Sequence, residues 1–383
     1  MSKAAKVKRL QDALANKRPD RIPKGEFFWT GFIKKCKAKW GEDFDPWRFF
    51  DSDYIVITPN IDPLIKPFEI IKEDGEDIVL KTGFGATIKR SREIPMPHFE
   101  EFTYDSFEKM EAFVFDAADD PRRYYSGGDD QINCVGDALA RNIPAWTERV
   151  DAYVDDFAVF GSVCEVYEYL WRMIGTENAL CWMAEDPERY KKMVDKLGDF
   201  IVELCKAQIE AGKGRLTGMY IWGDVAYRNG MFFNPDTWRK LFKPHVKRII
   251  DVCHEKGLLV IYHGCGNPTP IFEDMIEIGL DAYNPLECKA DLDIVTLNDE
   301  LKGRLNFCGN IDMRVLERGN KEEIEKEVLH KMLAAENGGW IFQSDHSVSS
   351  DVDPESYLIA LEVLKEYGTY PLDIQKIKER LSL

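Results

Sequence analysis

The sequence predicts an α/β protein: a single (β/α)8 TIM barrel over residues 1–383, with an antiparallel β hairpin or meander inserted at 66–95. Three observations predict it. Short apolar strand runs alternate with amphipathic helices through the second half of the chain, the signature of a parallel sheet covered by helices. A stretch rich in turn chemistry interrupts the first half. Chemically active side chains recur where successive strands finish, which is where barrel enzymes build their sites.

The elements follow in order. MSKAAKVKRLQDALANKRPDRIP opens the chain as a short helix with Val7, Leu10 and Leu14 on one face, closed by Pro19. IPKGEFF (22–28), with Glu26 near its end, and DYIVITP (53–59) read as strands. In 68–93, EDGED and TGFGA are turn chemistry between β-rich runs, hence the inserted hairpin or meander. FAVFGSV (157–163) reads as a buried strand. Helix 187–212 places Tyr190, Met193, Val194, Leu197, Phe200, Ile201 and Leu204 on one stripe and stops at Gly212.

GMYIWGD (218–224) is the next strand, and helix 236–256 follows with a kink at Pro244. GLLVIYHG (257–264), LDAYNPLE (280–287), RLNFCGNID (304–312) and GGWIFQSDHS (338–347) are strands, separated by helices at 270–279, up to about 302, and 320–336. The last helix, 353–368, has Asp353 as N-cap and Pro354 at its first position. An open doubly wound sheet is the competing architecture. No G-x-G-x-x-G turn follows the first strand, which weakens its dinucleotide-binding form.

Composition bounds the function. With 44% apolar and 31% charged residues the chain is globular, and its formal charge of −17 argues against nucleic-acid or anionic-membrane binding. Nine irregularly spaced cysteines are no disulfide framework. No window approaches the length of a membrane span, and the basic N-terminus lacks an apolar secretory core, so the expected compartment is the cytoplasm.

The strand ends carry the candidate chemistry: Asp224; His263 and Cys265; Glu287; Cys308, Asn310 and Asp312; Asp345 and His346. Each alone has an ordinary structural explanation, as a helix cap, a satisfied core histidine or an inert core thiol. Five successive strand ends bearing such groups converge on one pocket if the barrel is right. Imidazole and thiolate are zinc donors, so His263 and Cys265 are metal candidates; the third ligand is open among His346, Glu287 and Cys308. Asp224, Glu287 and His346 are catalytic candidates. Phe28, Trp29, Tyr169, Trp222, Tyr227 and Asn310 are candidates for lining a partly apolar substrate pocket.

The PDRIP opening, YHGCGN, the GNID strand and GGWIFQSDHS together resemble the uroporphyrinogen decarboxylase superfamily over nearly the whole length. That resemblance implies the barrel fold and one of two chemistries. The decarboxylases bind an octa-anionic tetrapyrrole through an arginine-bearing loop after the first strand. Here that place is FFWTGFIKKCKAKW (27–40), which has lysines and aromatics but no arginine. The cobalamin-dependent methyltransferases carry an H-x-C pair that binds zinc, matched by His263 and Cys265. Their thiol-acting members have a cysteine on the last strand where this chain has His346.

The resemblance therefore implies a corrinoid-dependent methyltransferase component. It would take a methyl group from a small methylated substrate, foremost a methoxylated aromatic, in an O-demethylation. Zinc is the implied metal. The corrinoid would arrive on a partner protein, because the chain has no D-x-H-x-x-G pattern. A homodimer is compatible with this reading. The alternatives are a porphyrinogen-type decarboxylase and a non-enzymatic barrel that binds a tetrapyrrole or small ligand.

Overall fold

The computed structural model describes residues 2–75, 77–91, 97–134 and 142–383. Seven parallel strands form one curled sheet in chain order: β1 (Tyr54–Val56), β2 (Ala158–Cys164), β3 (Leu216–Trp222), β4 (Leu259–His263), β5 (Ala282–Asn284), β6 (Asn306–Cys308) and β7 (Trp340–Ile341). β2 is buried along its whole length, as strands covered on both faces must be.

Two apolar sets account for the layers. Tyr54, Phe160, Tyr220, Ile261, Ala282, Cys308 and Ile341 point into the curl, together with Leu10 and Leu14 of the helix Lys3–Leu14. That helix covers the N-terminal edge of the sheet, where Asn306 Nδ2 donates to the Leu14 carbonyl at 2.7 Å and Gly339 N–H donates to the Ala13 carbonyl at 2.8 Å. The alternate residues, among them Val159, Met219, Ile221, Val260 and Phe307, pack outward against the helices.

The expected eighth strand does not form, and the ladder does not close. Residues 22–28 make isolated contacts instead. Phe342 N–H donates to the Pro23 carbonyl (2.8 Å), Gly25 N–H to the Phe342 carbonyl (3.1 Å), and Asp53 N–H to the Lys24 carbonyl (2.7 Å). Pro23 has no N–H to extend a ladder. The buried Glu26 carboxyl takes the Phe27 and Ser344 backbone N–H groups at 3.0 Å each, so this segment is held by a side chain as much as by pairing.

The insertion is a four-stranded antiparallel meander, Glu69–Glu73, Asp77–Lys81, Ala86–Ser91 and His98–Phe102, running past the expected 95. The parts of the 66–95 expectation that fall on 76 and 92–95 lie outside the described residues. Helix 236–256 is two helices, Pro235–Leu241 and Lys243–Glu255, because Pro244 suits a first turn and not a helix interior. Helix Pro187–Gly212 ends as expected, though the left-handed residue is Lys213 at φ 49°. Among the described residues no helix is long and apolar enough to cross a membrane, and Cys36, Cys164, Cys181, Cys205, Cys253, Cys265, Cys288 and Cys308 are free thiols.

Candidate active site

Parallel strands of unequal length deliver their following loops to one edge, and five polar side chains meet there. Asp224 lies two residues past β3, Cys265 two past β4, Glu287 three past β5, and His346 beyond β7; His263 is the last residue of β4. Their ligand atoms form two overlapping triplets, Asp224–His263–Cys265 and Cys265–Glu287–His346, each with all atoms within 4.8 Å of one another. Cys265 belongs to both.

Sheet register fixes the first triplet. His263 stands opposite Trp222 on β3 and Asn284 on β5. Its Nδ1 lies 2.7 Å from Asn284 Oδ1, and its Nε2 faces Cys265 Sγ at 3.7 Å and Asp224 Oδ1 at 3.9 Å. The Trp222 ring packs against the imidazole with centroids 4.9 Å apart and 63° between planes.

The carboxylates also hold backbone. Cys265 N–H donates to Asp224 Oδ1 (2.8 Å), and Gly266 N–H donates to Glu287 Oε2 (3.1 Å). Gly266 has φ +82°, and a Cβ there would stand 2.7 Å from backbone atoms of Ala226 and Tyr227, so only glycine fits this turn. Lys289 Nζ lies 3.2 Å from Glu287 Oε1.

Electrostatics favour a neutral thiol until a cation arrives. Burial, then the charges of Asp224 and Glu287, push the Cys265 thiol well above its ordinary value. Burial, then the Lys289 ammonium, pushes the His346 imidazole down, so it stays neutral and able to donate a lone pair. Imidazole nitrogen, sulfur and carboxylate oxygen at this spacing are a divalent-cation donor set.

The remaining candidates divide. Trp29 meets His346 edge-on at 5.7 Å, and both line a cavity of about 430 Å³ together with Lys289, Met313 and Ser347. Trp222 lies against His263. Tyr227 is half exposed on the rim, stacked on Phe232 at 5.7 Å. Phe28 packs in an aromatic cluster with Phe32, Phe50 and Tyr357. Tyr169 is fully buried, its hydroxyl donating to the Ile61 carbonyl at 2.6 Å.

Asn310 is also fully buried, with its amide spent on the Leu286, Leu292 and Ile294 backbone. Cys308 stands apart from both triplets, inside the sheet, its Sγ 2.8 Å from Gln343 Oε1 and 3.2 Å from the Tyr54 hydroxyl. Asp345 receives the Cys288 and Met313 backbone N–H groups.

Three contributors were not singled out in the sequence. Asn284 and Tyr220 contact the imidazole or its partner; Asn284 could have been found as the polar residue ending the strand next to His263. The third, Glu165, directly follows β2 and is fully buried, its carboxyl against the Tyr262 hydroxyl and the Trp238 indole and within reach of the Asp224 charge. Burial is the main cause that raises its carboxyl to about 8.

Residues 141–367 match the family model described as uroporphyrinogen decarboxylase (URO-D). Curated uroporphyrinogen decarboxylases of Chlorobium limicola and Thermus thermophilus are 24% and 27% identical over 249 and 185 residues, or 62% and 46% of this chain. The matches span 66% and 48% of those relatives' own length. Among solved structures, a methyltransferase from Methanosarcina mazei aligns with a TM-score of 0.63 at 14% identity, over 94% of this chain and 98% of that one, which is a likeness of fold.

Proposed function

This chain belongs to the uroporphyrinogen decarboxylase family, and from that premise we propose that it is a methyltransferase component that moves a methyl group from a small methoxylated aromatic to a corrinoid protein. The observation that carries the reading is the pair of triplets meeting at Cys265. A decarboxylase acting on a polycarboxylate would want free cations at this edge, whereas two of the five groups are carboxyls, one is a thiol, and the cations of the adjoining cavity, Lys289 and Arg314, are paired with Glu287 and Asp312. The arginine-free segment 27–40 agrees, as does the fold likeness to a methyltransferase.

His263 and Cys265 would hold a zinc ion, with Glu287 or His346 as the third ligand. Bound there, zinc would act as a Lewis acid on the leaving oxygen. The chain's own residues do the rest. Trp29, edge-on to His346, would offer an aromatic surface of the cavity to the substrate ring. Trp222 shields the imidazole from water. In the transfer the methyl–oxygen bond breaks and its electron pair stays on oxygen, which takes a proton. The new bond to methyl is made by the electron pair of the partner's Co(I). Asp224, partly open to solvent and held by the Cys265 backbone N–H, would pass that proton in.

The test is methyl transfer to a reduced corrinoid protein from a panel of methoxyarenes, run beside metal analysis. Transfer with stoichiometric zinc supports the reading. Decarboxylation of uroporphyrinogen in its place, the activity named for the curated relatives, overturns it.

A further inference from the structure

Asn284 ends β5 with its side chain fully buried. Its Nδ2 donates to the Cys308 carbonyl at 2.9 Å, and its Oδ1 accepts the Tyr220 hydroxyl at 2.5 Å. The amide can face only one way. Reversed, it would set Oδ1 against the Cys308 carbonyl oxygen with no proton between them, and in a dry interior that costs the desolvation of both. Oδ1 therefore faces His263 Nδ1, 2.7 Å away, and an acceptor there demands a proton on that nitrogen.

We infer that Asn284, braced by Tyr220, is a positioning residue that fixes His263 as the Nδ1–H tautomer and so turns the Nε2 lone pair toward Cys265 and Asp224. The inference rests on the proposed metal-binding role of His263 for its purpose, but not for its geometry. Strands β3, β4, β5 and β6 all contribute to the brace: Tyr220, His263, Asn284 and the Cys308 carbonyl. A histidine that ligates through one nitrogen needs its other nitrogen held, and loss of such a partner typically costs about 10–100-fold in metal affinity.

The experiment reads the tautomer directly. Two-bond nitrogen–carbon-proton correlation spectra of metal-free, ¹⁵N-histidine-labelled protein, assigned with His263→Gln, distinguish the protonated ring nitrogen. The expected result is Nδ1–H in the wild type, a shift toward Nε2–H in Asn284→Ala, and a smaller shift in Tyr220→Phe, which keeps the Asn284–His263 bond. Zinc affinity by chelator competition should fall about 10–100-fold in Asn284→Ala. Nε2–H in the wild type overturns the inference. So does an unchanged tautomer in the folded Asn284→Ala protein or, should that variant not fold, in Tyr220→Phe. A wild type that binds no zinc but shows Nδ1–H overturns the metal reading and leaves the brace standing.

Discussion

The backbone N–H of Cys265 donates to Asp224 Oδ1 at 2.8 Å, so the loop after β3 holds the loop after β4. A carboxamide can accept the same bond, whereas it cannot carry a proton to a leaving oxygen. Asp224→Asn should therefore keep the melting temperature within about 2 °C of wild type, since surface-side changes that preserve contacts cost little. Methyl transfer should fall by about 10²-fold or more. Asp224→Ala should lose both. Equal activity in Asp224→Asn and wild type would remove Asp224 from the proton path.

Cys265 is shared by both triplets, so its loss should do more to metal binding than the loss of either flank. Purified wild type should hold about one zinc per chain and Cys265→Ala almost none, with Glu287→Gln and His346→Ala retaining a weakened site. Elemental analysis after dialysis measures this. Chelator treatment of wild type should abolish methyl transfer, and added zinc should restore it.

Glu165 gives a pH dependence whose sign is fixed by its surroundings. Its carboxyl is raised to about 8 in the folded protein, first by burial, so the folded state holds a proton that the unfolded state has already lost. Its contribution to stability is complete below the ordinary glutamic-acid value and drains away as pH rises toward about 8. Glu165→Gln, which cannot ionise, should flatten that decline. Denaturant unfolding at about pH 5 and pH 8 should show the variant losing a few kcal/mol less than wild type across the interval.

Trp29 and His346 form the wall of the cavity at the site. Trp29→Ala should raise KM for an aromatic methyl donor by about 10-fold, the worth of one ring contact with its buried area, and change kcat less. Steady-state kinetics with aromatic and aliphatic methyl ethers would separate the two. An equal effect on both would mean that Trp29 serves packing and not ring recognition.

Much of this was legible beforehand, for physical reasons. Runs such as GLLVIYHG are strands because both faces are covered, and nothing but a parallel sheet uses them in alternation with helices. The polar groups at their ends stood out because burying them needs a reason. Residues 22–28 were legible as extended chain, but pairing depends on partners and on Pro23, which propensity does not report. Asn284 was hidden because Asn-Pro after an apolar run reads as a turn; its partners Tyr220 and His263 are 64 and 21 residues away in sequence. The fates of Asn310, past a strand end, and Tyr169, within the helix Val166–Ile174, were equally invisible, since each is set by backbone groups that a distant loop leaves unsatisfied.

The close approach of Gly266 to Ala226 and Tyr227 has a practical corollary. With no side chain between them, the two-stranded hairpin of Ala226–Tyr227 and Gly230–Met231 and the loop that carries Cys265 touch backbone to backbone, and Asn267 N–H donates to the Tyr227 carbonyl at 2.9 Å. Tyr227 itself points away, half exposed. An engineer can change that ring freely to retune what docks at the rim. Inserting or deleting a residue in the hairpin would instead drag the thiol of Cys265 off its mark.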